Sequence, residues 1–259
     1  ASDVYKRQID IGSTASKTVV TGDREMKFVL PTGWSSKETA SEIASRLLDE
    51  GIDVMSEGVR VAATGYGRVA VDYADFVITE ITCHARGAHF LNPEVRTVID
   101  IGGQDSKVIR LDENGAVANF VMNDKCAAGT GRFLEMMART MEMSLDDMGK
   151  AGLSYKEDIT ISSMCTVFAE SEVVSLIAQN KATDDIVHGL NKAVASKTAA
   201  LAKRVGGEER YMMTGGVSKN QGLVKTLEEK LGTTLVISDK AQLCGALGAA
   251  LFAKDMVTE

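Results

Sequence analysis

Two short segments carry residue types that grip phosphate. Ile9-Asp10-Ile11-Gly12-Ser13-Thr14-Ala15-Ser16-Lys17 returns ninety residues later as Ile99-Asp100-Ile101-Gly102-Gly103-Gln104-Asp105-Ser106-Lys107, with Asp, Gly, Ser and Lys in the same register. In each copy an apolar strand ends in Asp, turns on glycine and continues through Lys into a second apolar run. Gly12, Gly102 and Gly103 let backbone amides approach phosphate oxygens closely. Ser13, Thr14, Ser16, Lys17, Gln104 and Lys107 offer further donors. Asp10 and Asp100, at matching strand ends, suit a hydrated Mg2+ that neutralises the phosphates, provided both hairpins face one nucleotide. Asp105 is a candidate base. A third signal, Met213-Thr214-Gly215-Gly216-Val217-Ser218-Lys219-Asn220, follows a short apolar run and opens a helix, as suits a nucleoside lying on bare backbone. Gln242 and the Gly129-Thr130-Gly131 run join Gly215, Gly216 and Asn220 as candidate nucleotide contacts. Any one of these turns is equally a hairpin without ligand; three in this order point to a nucleotide. No Gly-x-x-x-x-Gly-Lys-Ser/Thr run occurs, which excludes a P-loop enzyme.

Two cysteines have unusual surroundings: Asp124-Lys125-Cys126-Ala127-Ala128-Gly129-Thr130-Gly131 and Ser163-Met164-Cys165-Thr166-Val167-Phe168-Ala169-Glu170-Ser171-Glu172. Each precedes a predicted helix, whose N-terminal partial charge favours a thiolate and an anionic cluster. A cubane iron-sulfur cluster takes four thiolates, so a two-fold dimer would have to complete the set. On spacing alone, a small core residue is the more ordinary role for a free cysteine. Cys83, Cys244, His84, His89 and His188 read as packing residues, and Met136, Met137, Met141 and Met143 as core filling rather than a cluster shield. Glu170 and Glu172 are either solvated or nucleotide-facing, and Arg68 meets either a phosphate or a partner.

The elements that must hold these residues alternate strand and helix. A hairpin around Gly12 precedes an amphipathic helix over Lys37 to Gly51, a strand at Val59 to Ala63 and a helix from Glu80 to Phe90. Asn92-Pro93 marks a junction. Beyond it come strands over Val95 to Ile101, Ser106 to Leu111 and Ala116 to Met122. Helices follow over about Arg132 to Met143, Ala169 to Gln179, Asp185 to Val205 and Gly222 to Leu231. Short strands at Tyr211 to Thr214 and Thr234 to Ile237 lie among the later ones, and a helix over Ala241 to Ala253 comes last. The pattern is α/β, expected as two domains, 1–92 and 93–259, around a nucleotide cleft, with the 241–253 helix packing back on the first. Residues 1–8 read as a truncated or foreign start. At 259 residues and 44% apolar composition there is enough chain for one large core or two smaller ones. A net charge of −7 argues against nucleic-acid and acidic-membrane partners. With no membrane-length apolar run, no secretory leader and widely spaced cysteines, a cytoplasmic location is expected.

The hairpins and the Gly215-Gly216 turn resemble the actin-like, ribonuclease H-like ATPase superfamily of acetate and sugar kinases, heat-shock ATPases and actin. Together with the segments Cys126 to Phe133 and Cys165 to Glu172, the chain from about Ile9 to Ala253 resembles the activators of 2-hydroxyacyl-CoA dehydratases, of the BadF/BadG/BcrA/BcrD type. That resemblance implies two actin-like domains and a homodimer bridging one oxygen-sensitive 4Fe-4S cluster through Cys126 and Cys165 of both chains. It also implies ATP use that drives a low-potential electron into a 2-hydroxyacyl-CoA dehydratase or benzoyl-CoA reductase-like partner, with ferredoxin or flavodoxin as donor. A small-molecule kinase of the same superfamily without a cluster, using Asp105 as base, is the alternative. A chaperone-like or filament-forming ATPase is a third class.

Overall fold

The computed structural model describes residues 5–12, 14–22, 25–162 and 165–255. These fall into two compact units: one holds the chain up to Glu94, residues 112–117 and the stretch from Gln242; the other holds Val95–Leu111 and Ala118–Ala241.

The first unit is built on a five-stranded sheet in the order β3-β2-β1-β4-β5, from β1 (Tyr5–Ile11), β2 (Ala15–Thr21), β3 (Met26–Pro31), β4 (Val59–Thr64) and β5 (Phe76–Val77). β1 thus begins ahead of Ile9. It runs antiparallel to β2, with Asp10 opposite Lys17, and parallel to β4, with Asp10 opposite Thr64. Helix α1 (Ser36–Asp49) starts where the Ser35 hydroxyl accepts from the Glu38 amide. It buries Ala40, Ile43 and Leu47 against Ile11, Val20, Leu30, Val59, Val61 and Ala63. Helix α2 (Glu80–Leu91) is capped by Thr79 and brings Cys83 to Ala62 on the sheet.

The second unit has a four-stranded sheet in the order β8-β7-β6-β9, from β6 (Thr97–Ile101), β7 (Ser106–Leu111), β8 (Val117–Asn123) and β9 (Tyr211–Thr214). The register repeats that of the first: Asp100 stands opposite Lys107 on one side and Thr214 on the other. Helices α3 (Gly131–Thr140), α4 (Leu145–Ala151), α5 (Thr166–Ala178), α6 (Thr183–Val205) and α7 (Gln221–Leu231) supply its bulk. Phe133, Leu134, Met137, Val187, Leu190, Val194 and Leu223 close on Ile99, Ile101, Val108 and Met213 in one core. Met137 is fully buried there, with Met136, Met141 and Met143 packed at its margin, which is the core-filling role.

Helix α8 (Cys244–Asp255) returns to the first unit. It approaches α2 so closely that a side chain on Gly87 would strike the Cys244 carbonyl, and one on Gly248 the Cys83 carbonyl. Cys83 and Cys244 are both buried, and neither forms a disulfide. Burial pushes the Cys83 thiol up to about 12, so it stays protonated in the packing between α2 and α8.

Four elements differ from the sequence reading. The strand expected over Thr234 to Ile237 reduces to one bridge, Val236 beside Met212, flanked by two backbone hydrogen bonds. β3, β5 and α4 were not foreseen: β3 is an edge strand ending in Pro31, β5 is a two-residue edge strand, and α4 has seven residues, too short for a periodic signal. Among the described residues, no helix is long and apolar enough to cross a membrane.

Candidate functional site

Both Asp-Lys pairs are formed. In the first unit Lys17 Nζ lies 3.3 Å from Asp10 Oδ2, with Lys17 partly exposed. In the second, Lys107 is 1% exposed and its Nζ lies 3.1 Å from Asp100 Oδ2 and 2.7 Å from Asp105 Oδ2. Thr214 Oγ1 donates to Asp100 Oδ1 at 2.8 Å. Asp10 Oδ1 is buried and has no hydrogen-bond partner among the described residues. A buried carboxylate oxygen left without a donor is costly, and a hydrated cation satisfies it. Asp10 is therefore the carboxylate whose chemistry suits a Mg2+ ion, whereas at Asp100 Lys107 and Thr214 already take one oxygen each.

The repeat extends beyond the hairpins. Thr64-Gly65 at the end of β4 matches Thr214-Gly215 at the end of β9: Gly65 has φ 84° and ψ −177°, Gly215 φ 85° and ψ 172°, and each opens a short 3-10 turn. Only glycine takes this backbone without strain. A Cβ on Gly65 would strike the Ile11 carbonyl and reach 2.5 Å from Asp10 Oδ1, and one on Gly215 would strike the Ile101 carbonyl and reach 2.9 Å from Asp100 Oδ1. Each glycine lets a strand end close over the Asp of its own unit. Thr64 and Gly65 were missed as site residues, although the Thr-Gly dipeptide stands in the sequence.

The two turns are braced differently. At the first, Thr32 Oγ1 donates to the Gly12 carbonyl at 2.7 Å, and the buried Ser16 hydroxyl lies 2.8 Å from that of Thr32. Thr14 takes the Thr32 amide on its carbonyl. Ser13 lies outside the described residues. At the second, the Gly102 amide closes the turn on the Asp105 carbonyl, and the Gly102 and Gly103 carbonyls accept the amides of Gly131 (2.9 Å) and Arg132 (2.7 Å), the first of α3. Those amides have no partner within their own helix, and the turn supplies one. The peptides are trans and planar, so the N–H groups of Gly103 and Gln104 point away from α3. They are the donors a phosphate would meet, beside the exposed Gln104 side chain.

The other candidates take mixed places. Thr130 is fully buried, with its hydroxyl 2.6 Å from the Ala127 carbonyl, and Gly129 packs on the Lys197 stem; both shape the loop after Cys126. Asn220 caps α7, its Oδ1 accepting the Leu223 amide at 2.8 Å. Gly216 is exposed, with open space where a side chain would stand, and Gln242 is partly buried in the short turn before α8. Arg68 folds onto the Gly65 carbonyl at 2.9 Å.

Cys126 and Cys165 are exposed and free. Cys165 is the N-cap residue of α5, and Cys126 begins the loop that enters α3. Glu170 accepts from Thr140 Oγ1 at 2.9 Å, tying α5 to α3, and Glu172 takes the Ser162 amide and hydroxyl at 3.0–3.1 Å, holding the approach to Cys165. Only Cys165 stands directly at a helix start; Cys126 is set back by the loop that ends at the Thr130 cap of α3, unlike the expectation, and the two exposed thiols offer two donors per chain to a metal-sulfur cluster. His84 and His188 are buried, and each faces a carboxylate: His84 Nε2 lies 3.8 Å from Glu80 Oε1 and His188 Nε2 3.5 Å from Asp158 Oδ1, so neither is a purely packing residue.

Duplicated sheets, each with an Asp at the end of its central strand, define an actin-like ATPase. A ROK-family glucokinase from Streptomyces griseus shares this fold at a TM-score of 0.59 and 15% identity, covering 97% of this chain and 99% of its own. The family of BadF/BadG/BcrA/BcrD ATPases matches residues 9–253, and the chain belongs to it. It is 44% identical over 260 residues to the 2-hydroxyisocaproyl-CoA dehydratase activator of Clostridioides difficile, covering 99% of this chain and 97% of that one. The Acidaminococcus fermentans (R)-2-hydroxyglutaryl-CoA dehydratase component A superposes at a TM-score of 0.91 with 44% identity, covering 99% of this chain and all of that one. The activator of the 2-hydroxyisocaproyl-CoA dehydratase from Clostridium difficile with bound ADPNP superposes at 0.90 with 42% identity, covering 98% and 96%.

Proposed function

We propose that this chain is an ATP-hydrolysing activator of a 2-hydroxyacyl-CoA dehydratase or benzoyl-CoA reductase-like partner. The observation that carries the reading is the pair of exposed, free cysteines, one at the cap of α5 and one in the loop before α3, within an ATPase of this family. The Gly12 turn would take phosphate oxygens of ATP, as would the Gly103 and Gln104 amides, with Asp10 or Asp100 holding Mg2+ through its waters. Gly215 and Gly216 would receive the nucleoside. In hydrolysis a water oxygen bonds to the γ-phosphorus as the bond to the bridging oxygen of ADP breaks. The γ-phosphate would be the differential contact: a turn that binds it favours one state of the protein over another, and its loss removes that preference.

Cys126 and Cys165, with their copies from a second chain, would hold one 4Fe-4S cluster, which supplies a single low-potential electron received from a ferredoxin or flavodoxin. Asp105, the base a kinase would need, is buried against Lys107 at 2.7 Å, which counts against phosphorylation of a small molecule.

Asp10→Ala and Asp100→Ala are expected to abolish ATP hydrolysis while iron and sulfide content after anaerobic reconstitution is retained; full turnover in both would refute the ATP assignment. One cubane per dimer, lost in Cys126→Ser and in Cys165→Ser, is expected from metal analysis with sizing. An iron-free monomer after reconstitution would favour the kinase instead.

A further inference from the structure

We propose that Thr32 is a positioning residue for the nucleotide: its hydroxyl, oriented by Ser16, fixes the peptide after Gly12 in the setting that the first turn needs to bind a phosphate. The inference rests on the reading that the Gly12 turn is a phosphate grip.

Thr32 closes that turn from outside it. Its Oγ1 donates to the Gly12 carbonyl at 2.7 Å and its amide to the Thr14 carbonyl at 3.0 Å, so one residue holds both sides of the turn. A hydroxyl carries a single proton. Because that of Thr32 goes to Gly12, the 2.8 Å contact between Ser16 Oγ and Thr32 Oγ1 has Ser16 as its donor. The three oxygens form a one-way chain, from Ser16 through Thr32 to the Gly12 carbonyl. Ser16, 1% exposed, thus acts through Thr32 rather than on a phosphate itself. Thr32 comes directly after β3, whose Leu30 pairs with Ser16 and Pro31 with Ala15. On its other side the Gly33 amide donates to Oγ1 of the buried Thr39, on α1, at 3.3 Å. A strand and a helix therefore set where the Thr32 hydroxyl stands.

Holding the Gly12 carbonyl sets the whole peptide plane. The bond is trans, so the direction of the donor at its other end is fixed as well. Lys17 Nζ lies against the same turn, 3.0 Å from the place a Cβ on Gly12 would take. A donor held in place before the oxyanion arrives has less freedom to lose on binding it.

The second hairpin reaches the same end without this chain. Ser106 occupies the position of Ser16, opposite Ile101 as Ser16 is opposite Ile11. It is 2% exposed, and its hydroxyl has no hydrogen-bond partner among the described residues. There the Gly102 and Gly103 carbonyls are held by the first amides of α3. The two serines are equivalent in register and burial and differ in whether they brace a turn, which makes Ser106 the internal control for Ser16.

The test uses the full-length chain, its fold checked by amide hydrogen exchange, and calorimetry of ADPNP binding with saturating Mg2+. Thr32→Val keeps the side-chain shape without the hydroxyl and is expected to weaken binding by about tenfold, the net worth of about one hydrogen bond. Thr32→Ser restores the hydroxyl and is expected to recover the affinity. Ser16→Ala should weaken binding by about threefold, since the Thr32 hydroxyl remains but loses its donor, whereas Ser106→Ala should leave it unchanged. Wild-type affinity in Thr32→Val, no recovery in Thr32→Ser, or equal losses in Ser16→Ala and Ser106→Ala would overturn the proposal. Absence of ADPNP binding to the wild type would instead overturn the ATPase reading, and this inference with it. If Thr32→Val does not fold, the two serine variants decide: an undiminished affinity in Ser16→Ala overturns the proposal.

Discussion

The two Asp-Lys pairs are alike in sequence and unlike in burial, and that difference predicts unequal responses to the same substitution. Lys107 is 1% exposed between Asp100 and Asp105, at 3.1 and 2.7 Å. Replacing it with Met leaves two carboxylates facing each other without a cation, and breaking a buried pair by removing one partner costs about 3–5 kcal/mol. Lys17 is 18% exposed, with Asp10 Oδ2 at 3.3 Å. Water and the open edge of the turn compensate part of its loss, and a buried acceptor losing one partner costs about 1–3 kcal/mol. Amide hydrogen exchange of the nucleotide-free chain, read by mass spectrometry, follows the two units separately. In Lys107→Met, opening of the β6 and β7 amides should rise by about two to nearly four decades, at one decade per 1.4 kcal/mol. In Lys17→Met, β1 and β2 should change by no more than about two decades. Lys107→Met combined with Asp105→Asn, which removes one of the stranded charges, should recover part of the loss. The reasoning is refuted if Lys17→Met destabilises its unit as much as Lys107→Met does, or if the added Asp105→Asn deepens the defect.

Three further outcomes follow from the geometry. Gly65→Ala and Gly215→Ala each put a methyl against a carbonyl at a positive φ, and each should destabilise its own unit by about 2 kcal/mol or more, read by the same exchange experiment. Gly248→Ala should wedge α8 off α2 and expose Cys83, so its thiol, inert in the wild type, should label with iodoacetamide in the native chain; continued protection would contradict the contact. Burial holds the His188 pKa below its ordinary value despite the nearby Asp158, and its ring stacks on Tyr155 at 3.4 Å. The unfolded chain therefore binds that proton more readily, so this group's contribution to stability is complete above about pH 6.5 and declines as pH falls below it. The melting temperature of His188→Gln should fall less between pH 7 and 5 than that of the wild type.

Much of this was legible in sequence, for a local reason. Asp-x-Gly followed by Lys seven residues after the Asp defines a hairpin whose register is set by its own turn, and both hairpins pair as their spacing predicts. The Thr64-Gly65 and Thr214-Gly215 match was hidden because a parallel partner strand lies at no fixed distance along the chain. Only α1 separates β3 from β4, whereas α3 to α6 intervene between β8 and β9. A repeat sought at ninety residues therefore finds the hairpins and misses the strand that covers each Asp. Thr234 to Ile237 misled in the opposite direction. Its β-branched run has strand propensity, but backbone pairing with β9 is confined to Val236, and propensity yields to the available partner. The unequal burial of Lys17 and Lys107 was not readable either, since identical side chains in identical register differ only in what packs over them.

The second turn also argues from its own bonding for an output other than a phosphorylated product. A phosphotransferase needs a carboxylate free to take a proton from its acceptor, close to the γ-phosphate. Here Asp105 is buried and ion-paired with Lys107, which also holds Asp100, while Thr214 fills the remaining oxygen of Asp100. These groups spend their hydrogen-bonding capacity on the shape of the turn. What the turn leaves available is its peptide dipoles, with two N–H groups on one side and two carbonyls on the other. The carbonyls are bonded to the helix that follows Cys126. A turn stiffened in this way is poorly equipped to shuttle a proton.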